Sequence, residues 1–441
     1  MSQNNTGDTI FALSSAPGRG GVAVLRVSGP NALGGLKNLV PEKEFPERQA
    51  VFCEFADKTK PIDRGLALFF KGPKSFTGED IVEYHVHGGK AVIDALLRVL
   101  AKQKNHRLAE PGEFTKRAFQ NGKLDLTAAE GIADLINAET QSQREQALLQ
   151  MGGALEKLYG DWSRRLAHCL AHQEAEIEFP EDDMPDGITE ALRPEIKKLL
   201  GEITVHLDDN HRGERLRDGI LITIVGAPNA GKSSLMNALA RRDVAIVSET
   251  AGTTRDVIEA HLDLAGYPVI IADTAGLHEK TSDAIEIEGM SRARKKANEA
   301  DFKLAVFDAS CAPDPETLAY LKDKTTIALW NKSDLATIKN SGIAISAKTG
   351  SGIPELLALL VQKIRAFYGE YSTKTPALSR PRHRQLVNDC QDCLIRSLNT
   401  KLPELAAEDL RLALRSLGKL TGRVDVEDLL DIIFRDFCIG K

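Results

Sequence analysis

The sequence predicts a multidomain chain, part α+β and part α/β, in which a helical domain is split by an inserted α/β domain. Three observations carry this. Residues 9 to 124 mix strand-like runs with glycine-rich turns. Helical spacing dominates from about 125 to 218 and resumes from 375 to 441. Between those stretches, near-continuous apolar runs of strand length alternate with amphipathic segments, as in a parallel sheet covered on both faces. The 441 residues suffice for about three domains. The expected boundaries are 1–124, 125–218, 219–374 and 375–441, the second and last forming one discontinuous domain. Insertion is tolerated where the two ends of the insert lie close together.

In the first segment, "GVAVLRVSG" and "DIVEYHVHGG" are the clearest strands. Val82, Tyr84 and Val86 alternate with Glu83, His85 and His87, giving one apolar face and one polar face. In the second, Leu155, Tyr159, Trp162, Leu166 and Cys169 recur at steps of three and four, which places them on one helix face. "EFPEDDMPDG" (178 to 187) interrupts the helices with Pro180 and Pro185 and reads as a solvated loop. In the third, "ILITIVG", "YPVIIADTAG", "FKLAVFDAS" and "TTIALWNKSD" are the buried strands. The last segment is rich in Leu and Arg.

Composition excludes several classes. Net charge is −6, so no global basic field recruits nucleic acid, although a local patch stays open. The opening "MSQNNTGDTIFALSS" lacks the basic stretch and apolar run of a signal peptide. No apolar run approaches the ~18 residues that a membrane span needs, so no membrane partner is expected. Six scattered cysteines without a secretory signal read as free thiols in a reducing cytoplasm.

"GAPNAGKS" matches G-x-x-x-x-G-K-[ST] through Gly226, Gly231, Lys232 and Ser233. It follows a predicted strand and opens a predicted helix, the context of a phosphate-binding P-loop. Backbone N–H groups of Asn229, Ala230, Gly231, Lys232, Ser233 and Ser234 would curl around phosphate. Lys232 supplies charge at the β- and γ-phosphates, and the Ser233 hydroxyl suits Mg²⁺. "DTAG" (Asp273, Thr274, Ala275, Gly276) ends an apolar strand: Asp273 can orient a magnesium-bound water and the Gly276 N–H can reach the γ-phosphate. In "NKSD" (Asn331, Lys332, Ser333, Asp334), the Asp334 carboxylate can accept both donors of guanine, and Asn331 can reach N7. Adenine lacks that donor pair. "SAK" (Ser346, Ala347, Lys348) completes a base loop. Between P-loop and DTAG lies "SETAGTTRD", where Thr254 is the natural second hydroxyl for Mg²⁺ in a switch loop. In order, these elements predict a Ras-like P-loop domain specific for GTP.

One position conflicts with Ras-type chemistry. There the residue after DTAG is a Gln that orients the attacking water; here Leu277 can neither donate nor accept a hydrogen bond. Elsewhere the signals are softer. "APGRGG", "SFTGED", "HVHGG" and "EPGEFTKRAFQNGKLDL" cluster glycine with charge, which suits either a small-ligand site or ordinary tight turns. Cys390 and Cys393 form a lone CxxC in a helical pattern, better read as packed thiols than as zinc ligands. The final "FCIGK" is not a prenylation box, because Gly440 is not aliphatic and Lys441 is not a usual end.

Through PGRGG, SFTGED, EPGEFTKRAF-NGKLDL, GAPNAGKSS, AGTTRD, DTAGL, NKSD, SAK and CIGK, the chain resembles the bacterial tRNA-modification GTPases of the MnmE (TrmE) family over its whole length. The resemblance implies an N-terminal folate-binding-like α+β domain that also forms a homodimer. It implies 5-formyl- or methylene-tetrahydrofolate held by Arg26, Glu83, Lys123 and Lys441. It implies a flavoprotein partner, MnmG, in a heterotetramer or larger complex. The pair adds a carboxymethylaminomethyl group to C5 of the wobble uridine of certain tRNAs, using a folate one-carbon unit. Cys438 matches the family's near-terminal cysteine, a candidate catalytic residue.

The resemblance also answers the Leu277 problem. It implies K⁺ in place of an arginine finger, with Asn229 supplying a side-chain oxygen and the switch loop from Ser248 through Glu249, Thr250, Ala251 and Gly252 to Thr253 closing the cage; Thr254, next in the loop, stays with Mg²⁺. Ser248, Thr250 and Thr253 are its expected further ligands, largely through backbone carbonyls. A second G domain facing the first would order that loop. Glu286 matches the family's catalytic acid and would act through a bridging water. His278 stands where members of the family usually carry Arg. An Era-like regulatory or assembly GTPase, sharing GxPNxGKS, is the alternative; folate-like flanks and the CIGK end favour the enzyme.

Overall fold

The computed structural model describes residues 7–178, 188–241, 245–246, 259–273, 298–336, 341–368, 376–424, 430, 433–435 and 437–440. They divide into two compact units, one of 1–133, 151–163 and 417–441, the other of 134–150 and 164–416.

The first unit is built on a six-stranded sheet. Its strands are β1 (Thr9–Leu13), β2 (Gly20–Ser28), β3 (Val51–Asp57), β4 (Lys60–Phe70), β5 (Ile81–Gly88) and β6 (His106–Leu108), in the order β3-β4-β5-β2-β1-β6. Neighbours are antiparallel except the β1/β6 pair. The helices α1 (Ala32–Leu39) and α2 (Lys90–Ala101) pack against it, with Leu36, Leu96 and Leu100 fully buried. The period-2 expectation for 82–87 holds. Val82, Tyr84 and Val86 join this core, whereas Glu83 and His85 are half-buried and His87 is exposed. The same alternation puts the polar residues of β5 beside those of β2, since Arg26 and Glu83 are direct cross-strand partners.

Two further helices of this region, α3 (Glu113–Gln120) and α4 (Leu126–Ile136), meet the C-terminal segment. Leu126 and Ala129 cluster with Leu430, Phe434 and Phe437. The segment then runs back onto β1: Ile439 bridges Pro111, and the Ser14 hydroxyl donates to the Gly440 carbonyl at 2.9 Å. Gly440 sits at φ +97°, and a Cβ there would lie 2.2 Å from the Leu13 carbonyl oxygen. Only glycine fits that approach.

In chain order the helices that follow are α5 (Gln141–Met151), α6 (Ala154–Glu178), α7 (Ile188–Leu207), α8 (Arg212–Asp218), α9 (Lys232–Ala240), α10 (Pro315–Tyr320), α11 (Ile353–Tyr368), α12 (Pro381–Asn399) and α13 (Pro403–Thr421). Leu155, Tyr159, Trp162, Leu166 and Cys169 all lie on the buried face of α6, as their spacing predicts. Cys390 and Cys393 are buried in α12, and burial raises both thiol pKa values. The loop expected at 178–187 falls outside the described residues after Glu178.

The second unit holds the seven-stranded sheet, completed by β7 (Ile220–Val225), β8 (Ala245–Ile246), β9 (Glu259–Leu264), β10 (Tyr267–Asp273), β11 (Phe302–Asp308), β12 (Thr326–Asn331) and β13 (Ile343–Ala344). The order is β13-β12-β11-β7-β10-β9-β8. The four apolar runs read from the sequence are β7, β10, β11 and β12, and they are mutually parallel. Ile222, Ile224, Leu304 and Leu329 are fully buried in the resulting core. Beside them β9 runs antiparallel to β10. The two-residue turn at Ala265 and Gly266 has φ of +56° and +91° at its two centres, the backbone twist of a tight hairpin.

Candidate functional site

The P-loop lies where a parallel sheet presents its ligand crevice, at the carboxyl ends of its strands. Strand β7 ends at Val225 and α9 begins at Lys232, so residues 226–231 form the connecting loop. Gly226 (φ +155°) passes under β11: a Cβ there would lie 2.4 Å from the Val306 carbonyl oxygen. Gly231 (φ +95°) caps α9, and its Cβ would collide with the Asn331 amide nitrogen at 2.1 Å. Between them Asn229 adopts φ +62°, a conformation that side chains other than Asn or Asp rarely hold. The loop therefore curls tightly into the N-terminus of α9, where the helix dipole favours an anion. The Lys232 ammonium is buried in this curl, donating to the carbonyls of Gly226 at 2.8 Å and Ala227 at 2.9 Å. Ser233 and Ser234 are exposed in the first turn of α9, and Ala230 is buried beneath the loop.

Asn331, at the end of β12, joins this loop to the base loop. Its side-chain N–H donates to the Ala230 carbonyl at 2.8 Å, and its oxygen accepts from the Ala347 N–H at 3.0 Å. It is buried. The sequence assigned Asn331 to the base; the structure adds a bracing role that motif reasoning missed. Asp334 is exposed and accepts from the Ser346 hydroxyl at 2.7 Å, which holds its carboxyl pKa below the ordinary value. The positive charge of Lys348 acts in the same direction on this carboxylate. Lys332, at φ +63°, turns back to pair with Asp308 at 2.6 Å. Burial raises the Asp308 carboxyl pKa, but the bond from Lys332 and two from Ser310 outweigh it and bring the pKa down to about 2. Asp308 was not expected at the site; its signal was its place at the end of an apolar strand next to NKSD. The Ser333 N–H donates to the Ile345 carbonyl, which ties the base loop to the following strand.

Several expected residues lie outside the described ones: Ser248, Glu249, Thr250, Ala251, Gly252, Thr253, Thr254, Thr274, Ala275, Gly276, Glu286 and Lys441. Of Asp273 the backbone alone is described, ending β10 in register with Ile224.

In the first unit Arg26 and Glu83 form a 2.9 Å ion pair with both side chains largely buried. The guanidinium lies 5.6 Å from the Phe76 ring centre and 5.8 Å from that of Phe114. Both Arg26 donors fall on one oxygen of Glu83, Oε1. The other, Oε2, has His85 Nε2 at 3.4 Å and keeps acceptor capacity. A carboxylate, a guanidinium and aromatic faces together suit a flat, donor-edged ring with an anionic tail. Lys123 is exposed and donates to the Pro73 carbonyl at 2.9 Å. Cys438 is exposed, and its carbonyl accepts from the Gly112 N–H.

Among the arginines of the C-terminal helices, Arg384 is half-buried and held by Asp209 at 2.5 Å, Glu214 at 2.8 Å and the Leu207 carbonyl at 3.0 Å. Arg396 pairs with Asp409 and Arg411 with Glu174, both on exposed faces.

Comparison with known proteins agrees with this anatomy. The model for the MnmE helical domain matches residues 126–438, and that for the GTP-binding protein TrmE N-terminus matches 9–123. The tRNA modification GTPase MnmE of Parvibaculum lavamentivorans is 52% identical over 98% of this chain and 100% of its own length. That of Rhodospirillum rubrum is 48% identical over 99% of this chain and 100% of its own. The human mitochondrial 5-taurinomethyluridine-[tRNA] synthase subunit GTPB3 is 44% identical over 99% of this chain and 94% of its own. The chain belongs to the MnmE family of tRNA modification GTPases.

Proposed function

We propose that this protein hydrolyses GTP in the service of tRNA modification, with potassium in the place of an arginine finger. The observation that carries the nucleotide half is the Asn331 amide, which ties the phosphate loop at Ala230 to the base loop at Ala347. Such a brace makes sense where one ligand spans both loops. Lys232 and the loop amides of 229–234 bind the phosphates, Ser233 and Thr254 hold Mg²⁺, and Asp334 selects guanine over adenine. Ser346 positions the Asp334 carboxylate by its hydrogen bond, and Lys348 flanks the base.

Leu277 leaves water orientation to another group, which we assign to Glu286 acting through an intervening water. The potassium assignment rests on Asn229, exposed in the loop at φ +62°, and on the resemblance for Asn229, Ser248, Thr250 and Thr253. When bound, the ion supplies positive charge where negative charge develops between the β- and γ-phosphates. Pairing of two G domains would close the 248–254 loop over the site.

The remaining assignments follow from the segments. Residues 1–124 would bind a formyl- or methylene-tetrahydrofolate and dimerise; 125–218 with 375–441 would form the helical domain; 219–374 would form the G domain. Arg26 and Glu83 fit a pterin edge and a glutamate tail, with Lys123 and Lys441 adding charge. When bound, the folate supplies a one-carbon unit. With a flavoprotein, MnmG, the product would be a carboxymethylaminomethyl group on wobble uridine, with Cys438 near the reaction and the cytoplasm as its place. GTP turnover measured in KCl and in NaCl at equal ionic strength tests the ion: many-fold faster hydrolysis in KCl is expected, and equal rates would refute it. Mass analysis of wobble uridine from cells with and without the protein tests the modification.

A further inference from the structure

We propose that His168 and His172 form a surface chelate for a borderline transition-metal ion such as Zn²⁺ or Ni²⁺. The two residues are four apart on α6, so they share one helix face one turn apart. Both are exposed. Their Nε2 atoms lie 3.2 Å apart, with ring centres 4.4 Å apart at 58°. Two metal–nitrogen bonds of about 2.0–2.1 Å meeting near the tetrahedral angle place their nitrogens roughly 3.3–3.4 Å apart. The pair therefore already holds close to the bite that a metal needs.

The same contact can be one neutral imidazole donating to the other. Metal binding then needs the proton on that Nε2 to move to Nδ1, which leaves a lone pair on both Nε2 atoms, and a small rotation of the exposed rings to point both at one ion. Imidazole nitrogen selects Zn²⁺, Ni²⁺ or Cu²⁺ over Mg²⁺ and Ca²⁺, which take oxygen ligands. The stripe continues at four-residue steps with Arg164 before the pair and Glu176 after it, a cation and an anion of offsetting sign. Among the described residues no group of three His, Cys, Asp or Glu side chains converges on a metal position. Water completes the coordination sphere, which makes the ion exchangeable rather than structural. The spacing is that of the two histidines in H-E-x-x-H, and neither residue is assigned to GTP or folate.

The test is calorimetric titration of the full chain with Zn²⁺ alone and Ni²⁺ alone, compared with His168→Ala, His172→Ala and the double variant. The wild type is expected to bind one more ion per chain than each variant, and the double variant no fewer than the singles. Because both residues are exposed, circular dichroism and GTP turnover should be unchanged in all variants. Superimposable isotherms for wild type and variants would overturn the site, as would an absence of binding by the wild type.

Discussion

Asp334 and Asp308 show how much of the nucleotide site is decided by single side chains. The Asp334 carboxylate is held by the Ser346 hydroxyl, and the proposed function assigns it to the guanine edge. A hydrogen bond to a charged group contributes roughly 1.5–3 kcal/mol, so Asp334→Ala should weaken GTP binding by about 10- to 100-fold and lower the preference over ATP. Competition binding with the two nucleotides reads both effects, and retained selectivity would move guanine recognition elsewhere. Asp308 makes a pH prediction. Its pKa falls from 3.8 to about 2 because Lys332 and Ser310 bond the charged form. A depressed carboxylate stabilises the fold above its ordinary pKa, and that contribution fades as pH drops from about 4 toward 2. In Lys332→Ala the carboxyl should titrate nearer its ordinary value, as carbon-detected NMR of the labelled residue would show; an unshifted midpoint would assign the depression to Ser310. The motif residues were legible because phosphate and guanine demand particular donors at fixed spacing. The bracing role of Asn331 and the Asp308 pair were not, because both are made by residues brought together across strands.

Among elements, strand identity came through best where burial was two-sided. The runs at β7, β10, β11 and β12 are apolar along their length because helices or loops cover both faces, and such runs have few alternative structures. The antiparallel β9 was not singled out, although Ala260, Leu262 and Leu264 alternate with Glu259, His261 and Asp263 and are buried as a period-2 strand requires. Its six residues lie next to a glycine turn and offer only three apolar positions, a weak signal against its neighbours. The C-terminal segment carries the element-scale prediction. Gly440 sits at φ +97° against the Leu13 carbonyl, so Gly440→Ala meets both backbone strain and a collision. Strain of this kind costs about 1–3 kcal/mol. The variant should release residues 437–440 from β1 while leaving the six-stranded sheet intact, seen as faster carboxypeptidase trimming with little change in melting temperature. Unchanged trimming would mean that the cluster of Phe434 and Phe437 holds the segment alone.

For the whole molecule, the switch from strand-like to helical to α/β and back to helical spacing was visible as changes of period along the chain. What period cannot reveal is which distant segments condense together. The grouping of 417–441 with 1–133 depends on Phe434 and Phe437 reaching Gly112 and Leu126, contacts more than 300 positions apart in sequence. Two compact units also suggest two unfolding events. A ligand at 100 times its dissociation constant stabilises the state it binds by about 2.7 kcal/mol. Scanning calorimetry with saturating GDP and Mg²⁺ should therefore move the transition of the unit that holds the P-loop and leave the other in place. A single transition shifting as a whole would mean that the units unfold cooperatively.

The Asn331 amide carries a consequence for genetics. Because one side chain clasps the phosphate cradle with one end and the guanine reader with the other, no substitution there can damage only one of them. Alleles at this position should merge misreading of the base with a slack grip on the triphosphate, whereas alleles at Asp334 or Lys232 can be told apart.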